Sequence, residues 1–192
     1  MTYRTVLENV VVDGGDYDLL HLACKIAERF DADVVGSAIC QPIQFYSGDG
    51  FISGDTIQQG VPEIDRGFKR GERCFRTAFG KRRRRIELHT AKTVAPLAKT
   101  QAINACGNDL IISPALIGGQ FASAQHVNSS DLVMQPGRPV LVVPENVRTL
   151  PLHRLLVCWN DTKEARHAVL DALPLASCSS PVTRRSPWRC RP

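Results

Sequence analysis

Two stretches of the chain follow one plan: an apolar strand, an aspartate, then an amphipathic helix. The first runs from Arg4 through Val6-Leu7 and Val10-Val11-Val12 to Asp13 and into a helix over Asp18–Phe30. The second is His153–Leu175, HRLLVCWNDTKEARHAVLDALPL. A repeat decides what counts as a structural unit before any single motif is weighed. The first copy continues to Pro144, whereas the second stops after one strand and one helix and passes into ASCSSPVTRRSPWRCRP. The expected organisation is therefore a complete α/β domain over 1–144, a linker over 145–152, a truncated start of a second such domain over 153–175, and a tail over 176–192. In the fragment, Asp161 is placed to cap the helix, with Glu164 in capping-box position and Leu155–Trp159 as a buried-type strand. The tail lacks periodicity and is expected to be disordered. It is also unlike the apolar strand that should come next, and reads as an out-of-frame translation past codon 175.

Within the first copy, periodicity and punctuation place the elements. A strand over Thr5–Val12 precedes a helix whose apolar positions are Leu19, Leu22, Ala23, Ile26, Ala27 and Phe30, a 3.6-residue stripe. A short apolar strand follows at Val34–Ile39. The stretch Gln41–Pro62, with Gly48, Gly50, Gly54 and Gly60, reads as a long loop. A helix is expected over Ile64–Arg84, a strand from Ile86, and a helix opened by Pro96 and stopped by Gly107. The run DLIIS over Asp109–Ser113 is a fully apolar strand. A loop over Pro114–Ala124 and a helix near Val127–Gln135 follow, and Gly137-Arg138-Pro139 turns the chain into a last strand, Val140–Val143. Strands alternating with helices imply parallel pairing and a sheet covered on both faces, which requires near-continuous apolar strands such as LIIS and VLVV. Ligands bind such open sheets beyond the carboxyl ends of the strands, so Asp13, Ser37–Cys40 and Pro114–Ser130 share one rim.

Charge and chemistry narrow the function. The net charge of +5 is concentrated between Arg66 and Arg85, where ten basic residues face one acid, Glu72. Phe68, Phe75, Ala78 and Phe79 fall on one helical stripe, so the arginines are expected to form a solvated face. No aromatic interrupts Lys81–Arg85 to stack on bases, and nucleic acid is not the expected partner. The seven cysteines (24, 40, 74, 106, 158, 178, 190) are scattered, matching neither a disulfide framework nor zinc-ligand spacing. The N-terminus has no secretory-signal pattern and no run is long enough to cross a bilayer, so a cytoplasmic protein is expected. There is no Ser-x-x-Lys, no Gly-x-Ser-x-Gly elbow and no His/Cys cluster, and no catalytic residue is expected.

The strand ending in Asp13, the phrase Asn108-Asp109-Leu110-Ile111-Ile112, the loop and helix after it, and Gly137-Arg138-Pro139-Val140-Leu141-Val142-Val143-Pro144 together resemble the universal stress protein family. The resemblance covers Arg4–Pro144, and His153–Leu175 resembles the start of another such domain, as in tandem members. It implies a five-stranded parallel open sheet with helices on both faces, Rossmann-like and of the adenine-nucleotide alpha-hydrolase type. It further implies dimerisation through the last strand (140–143), a non-catalytic role as a binding or signalling module in stress survival, and ATP or AMP as a cofactor of some members. ATP-binding members carry Gly-x2-Gly-x9-Gly-Ser/Thr after the fourth strand, where glycine backbones and a helix start close on the phosphates. Counted from Asp109–Ile112, the glycine places fall on Pro114, Ile117 and Val127; counted from Gly118, they fall on Ala115, Gly118 and Asn128, followed by Ser129. Neither register keeps the motif, and Pro114 has no N–H to donate. Gly118, Asn128, Ser129 and Ser130 remain as candidate anion contacts. If a nucleotide binds, the resemblance puts Asp13 near the ribose and Ala38 beside the adenine through its backbone. Three readings follow: a non-catalytic stress-response module, an ATP- or AMP-binding version with a degenerate loop, and a basic-surface binder of nucleic acid or anionic surfaces through 66–85.

Overall fold

The computed structural model describes residues 2–10, 17–41, 54–80, 84–115, 127–135, 137–150 and 155–177. It divides the chain into a unit of Tyr3–Thr149 and a second of Leu150–Pro192 with Met1–Thr2. In the larger unit the elements are β1 (Thr5–Asn9), α1 (Tyr17–Phe30), β2 (Asp33–Cys40), α2 (Gly54–Phe79), β3 (Ile86–Lys92), α3 (Leu97–Ala105), β4 (Leu110–Pro114), α4 (Ser129–Val133) and β5 (Val140–Val143). The second unit holds α5 (Lys163–Ala176). The five strands form one sheet in the order β3-β2-β1-β4-β5, and every adjacent pair is parallel. This is the expected five-stranded open α/β sheet.

Burial follows position in the sheet. β4 is buried along its whole length and β1 from Val6 onward, whereas the edge strands β3 and β5 are largely half-exposed or exposed. On one face, Leu7, Ile39 and Ile111 pack with Leu97, Ala98 and Ala105 of α3 and Leu132 of α4. α1 covers β1 and β4 on the other face, and α2 covers β2 and β3. The α1 stripe is buried as its spacing demands, and Phe30 closes it edge-to-face against Tyr3 at 5.0 Å.

Where α2 crosses β2, Phe75 and Phe79 stack at 4.7 Å and the strand presents Gly36. A Cβ at that position would lie 2.7 Å from both Leu88 Cδ1 and Phe75 Cε2. The glycine is therefore required by close approach rather than by backbone conformation.

The phrase Asn108-Asp109 has a mechanical job at the amino edge. Asp109 Oδ2 accepts the backbone N–H of Arg4 at 2.8 Å and of Thr5 at 3.1 Å, while Asp109 N–H donates to Thr5 O at 2.9 Å. Asn108 Nδ2 donates to Asn104 O at 3.0 Å, satisfying a carbonyl that the end of α3 leaves open. One dipeptide thus fastens β1 to β4 and finishes α3.

Several boundaries depart from the sequence reading. β1 ends at Asn9, not Val12. α2 begins at Gly54, inside the expected loop, and carries Pro62 within it; the glycines there obscure an apolar spacing (Ile57, Val61, Ile64, Phe68) that is helical. α3 ends without a left-handed glycine: Cys106 is right-handed helical and Gly107 is not at positive φ. Gly137, at φ 58°, does make the expected turn into β5. In the second unit, Leu155–Trp159 is not a strand, and the cap of α5 is Thr162, whose hydroxyl accepts Ala165 N–H at 3.3 Å, rather than Asp161. The tail beyond Ser177 lies outside the described residues.

Gly36→Ala should cost about 1–3 kcal/mol through overpacking against two aromatic and aliphatic side chains, and Asp109→Ala a similar amount through two lost backbone partners. Urea denaturation measures both. A midpoint unchanged by either substitution would refute the corresponding contact.

Candidate functional site

The chain crosses from β1 to β2 and β3 on one side and returns to β4 and β5 on the other, so the switch point of the sheet lies between β1 and β4. Open α/β sheets bind ligands at that point, outside the carboxyl ends of the strands. At this end the apolar face gives way to a transverse row of neutral polar residues. Register aligns Asn9 with Ser37. Asn9 Nδ2 donates to Ser113 Oγ at 3.2 Å across the β1–β4 boundary.

Above the row stands α3. Ser37 Oγ donates to Gln101 Oε1 at 2.7 Å and accepts from Asn104 Nδ2 at 3.0 Å. Asn9, Ser37, Gln101 and Ser113 are all buried, and Gln101 Nε2 has no hydrogen-bond partner. Burial of amides and hydroxyls is tolerable when they satisfy one another, and each broken bond then strands a group that costs about 1–3 kcal/mol.

The residues singled out in the sequence are distributed as follows. Asp13 and Gly118 lie outside the described residues; β1 already ends four residues before Asp13. Ala38 is buried in β2, and its backbone direction matters. Val10 N–H donates to Ser37 O at 2.9 Å, so Ser37 presents its backbone groups toward β1. Alternation turns those of Ala38 toward β3 and those of Ile39 toward the β1 side.

Asn128, Ser129 and Ser130 come together at the start of α4. Asn128 Oδ1 accepts Ser130 N–H at 2.9 Å, the ordinary N-cap bond, and Ser129 Oγ donates to Pro114 O at 2.8 Å. That bond ties α4 to the end of β4 and occupies the hydroxyl internally. The cap also shortens the helix, which starts at Ser129 rather than near Val127.

Gln101, Asn104, Asn9 and Ser113 escaped the sequence reading, which placed Ser37 at the rim only as part of Ser37–Cys40. A usable signal existed in Glu8-Asn9 and Ser113, polar residues inside otherwise apolar strands.

The perturbed ionisable groups lie elsewhere. The Arg85 guanidinium holds the Glu87 carboxyl below its usual range, Asp31 raises Arg84, and the Cys74 thiol beside its hydroxyl pushes Tyr17 up. Among the described residues, no three His, Cys, Asp or Glu side chains gather as a metal site, and no helix is long and apolar enough to cross a membrane.

The strand order and its switch point define an open, parallel, Rossmann-like α/β protein. No known family model matches the sequence, and no curated protein does. Solved structures do share the fold. The universal stress protein UspA from Lactobacillus plantarum superposes with a TM-score of 0.54 at 13% identity, over 74% of this chain and 99% of that one. A universal stress protein in complex with cAMP gives 0.44 at 16% identity, over 75% and 98%. A member from Burkholderia pseudomallei gives 0.46 at 16%, over 74% and 96%. The fold is that of the universal stress proteins.

Ser37→Ala should cost about 1–3 kcal/mol by stranding the Gln101 carbonyl. Adding Gln101→Leu should return part of that loss, because the unpartnered amide goes with it. Chemical denaturation of the single and double variants decides the matter: additive losses would mean that Ser37 and Gln101 are not coupled.

Proposed function

We propose that this chain is a universal stress protein-type module that works by binding and signalling rather than by catalysis, in the cytoplasm under stress. The observation that carries the reading is the row Asn9–Ser37–Ser113 at the switch point. These are neutral: Asn9 bonds to Ser113, Ser37 bonds to Gln101 and Asn104 of α3, and the buried carboxylate of Glu8, one residue earlier, alternates onto the other face of the sheet. Such a row suits a neutral hydrogen-bonding ligand better than a reaction that needs proton transfer.

Nucleotide binding with a degenerate loop is the second reading. The UspA-like fold favours it, and Ala38 stays in the proposal as the residue that the resemblance sets beside the adenine. Against a triphosphate stand Pro114, which has no N–H, and Asn128 and Ser129, whose oxygens are engaged at α4. Asp13 and Gly118 stay in the proposal as ribose and anion contacts.

Two partner assignments belong to the same proposal. The first is a homodimer through β5. Its Val142 is exposed on the edge strand, and Val133 of α4 and the following Met134 are exposed too, α4 packing on β5. An unpaired apolar edge is a template for strand addition. The second concerns 153–175, read as the truncated start of another domain: one helix cannot bury its own apolar face.

Thermal-shift measurements with ATP, AMP and pyrophosphate test the ligand reading, since a ligand of the native state raises the midpoint. ATP should raise it no more than AMP does, and no phosphate should be released. A much larger shift with ATP, or turnover, would contradict the proposal. Sedimentation tests the edge: the protein should be dimeric and Val142→Lys monomeric, whereas a monomeric parent would exclude the β5 dimer.

A further inference from the structure

Helix α2 turns a line of cations outward, and its exposed Asp65 pairs with Lys92 of β3 rather than with any of them. Its buried side, with Ile64, Gly67, Gly71, Cys74, Phe75 and Phe79, is spent on the fold, while Arg66, Lys69, Arg70, Arg73 and Arg76 are exposed. Some of the basic cluster is neutralised: Arg76 pairs with Glu72, Arg84 with Asp31, and Arg85 with Glu87. Arg66, Lys69 and Arg73 have no acidic partner among the described residues. Arg66 Nε donates to its own helix at Pro62 O, 3.2 Å away, a bond that leaves the charge unbalanced. At spacings of three and four residues these side chains share one face and span about 10 Å of a helix axis. Phe75 and Phe79, stacked against the sheet, hold that axis in place.

We infer that this face of α2 docks on the phosphate backbone of duplex nucleic acid, without reading bases. The complement of a rigid line of cations is a regular line of anions, and duplex DNA places one phosphate per about 3.4 Å of axis on each strand. An acidic membrane is a poorer fit. Amphipathic membrane helices insert a free apolar face, and the apolar face of α2 is already buried in the fold. A single strand is also a poorer fit, because its platforms stack successive bases on successive rings. Phe75 and Phe79 are buried and Phe68 is half-buried; Tyr17, exposed beside Cys74, is a single ring whose hydroxyl lies 3.2 Å from that thiol. The lack of aromatics between Lys81 and Arg85, which argued against base stacking, does not bear on phosphate contacts, since these need only cations. The surface lies on α2 and does not depend on what binds at the switch point.

The experiment is fluorescence anisotropy of the full chain with a labelled mixed-sequence duplex of about two helical turns, titrated between 50 and 200 mM salt. Three phosphates neutralised by Arg66, Lys69 and Arg73 give a log–log slope of about −2.7, an affinity loss of about 40-fold across that range. The variant Arg66→Gln/Lys69→Gln/Arg73→Gln should lose that slope. Arg66→Lys/Arg73→Lys should keep it, and Arg4→Gln/Lys99→Gln/Lys163→Gln, with the same net charge removed outside α2, should leave it in place. Circular dichroism and the melting midpoint confirm that each variant is folded. The proposal is overturned if the α2 and control variants lose affinity equally, if a single strand of equal length binds more tightly than the duplex, or if phosphatidylserine vesicles compete on equal terms through the same three residues.

Discussion

The parallel pairing of β1 with β4 is the constraint on which the rest depends. Both strands are buried, so every backbone amide and carbonyl in them must be satisfied inside the protein. Three residue pairs of regular ladder join them, and a side chain locks each end. Asp109 holds the amino edge through two backbone N–H groups, and Asn9 to Ser113 holds the carboxyl edge. Because the strand order reverses here, the locked carboxyl end also lies at the switch point, where open α/β sheets take their ligands. The same bonds therefore serve stability and the site.

This arrangement accounts for the character of the row. A buried charge carries a large desolvation cost unless it is compensated, and the one carboxylate of the pair, Glu8, lies by alternation on the face opposite the row. On the α3 face the groups are neutral, and Ser37 is satisfied by Gln101 and Asn104. The buried row at the switch point is thus preorganised for hydrogen bonding. The loop after β4 leads into a five-residue helix whose cap and first hydroxyl are already in use.

How much was legible in the sequence depended on whether the governing interaction was local. LIIS announced a buried strand because both its faces are apolar, VLVV announced a strand whose edge position leaves it mostly half-exposed, and the α1 stripe announced a helix packed on one side. The Asn108-Asp109 phrase was visible as a pattern, but its work, fastening residues 105 positions apart in one bond, was not. Asn9, Ser37, Gln101 and Ser113 are scattered along the chain and meet only through strand register and the crossing of α3, so nothing local marks them as a set. The start of α2 was hidden for the opposite reason: Gly54, Gly60 and Pro62 signal a loop locally, while the packing of Phe75 and Phe79 on β2 and β3 stabilises a long helix.

If the β1–β4 pair is the anchor, it must also be the last part of the protein to open. Native-state hydrogen exchange reads this residue by residue. The amides of Leu7, Asn9 and Ile112, which the register places in the β1–β4 ladder, should exchange only through global unfolding, and the side-chain amide of Asn9 should be protected with them. Exchange of these groups through a local opening, with β2 and β3 still protected, would contradict the account.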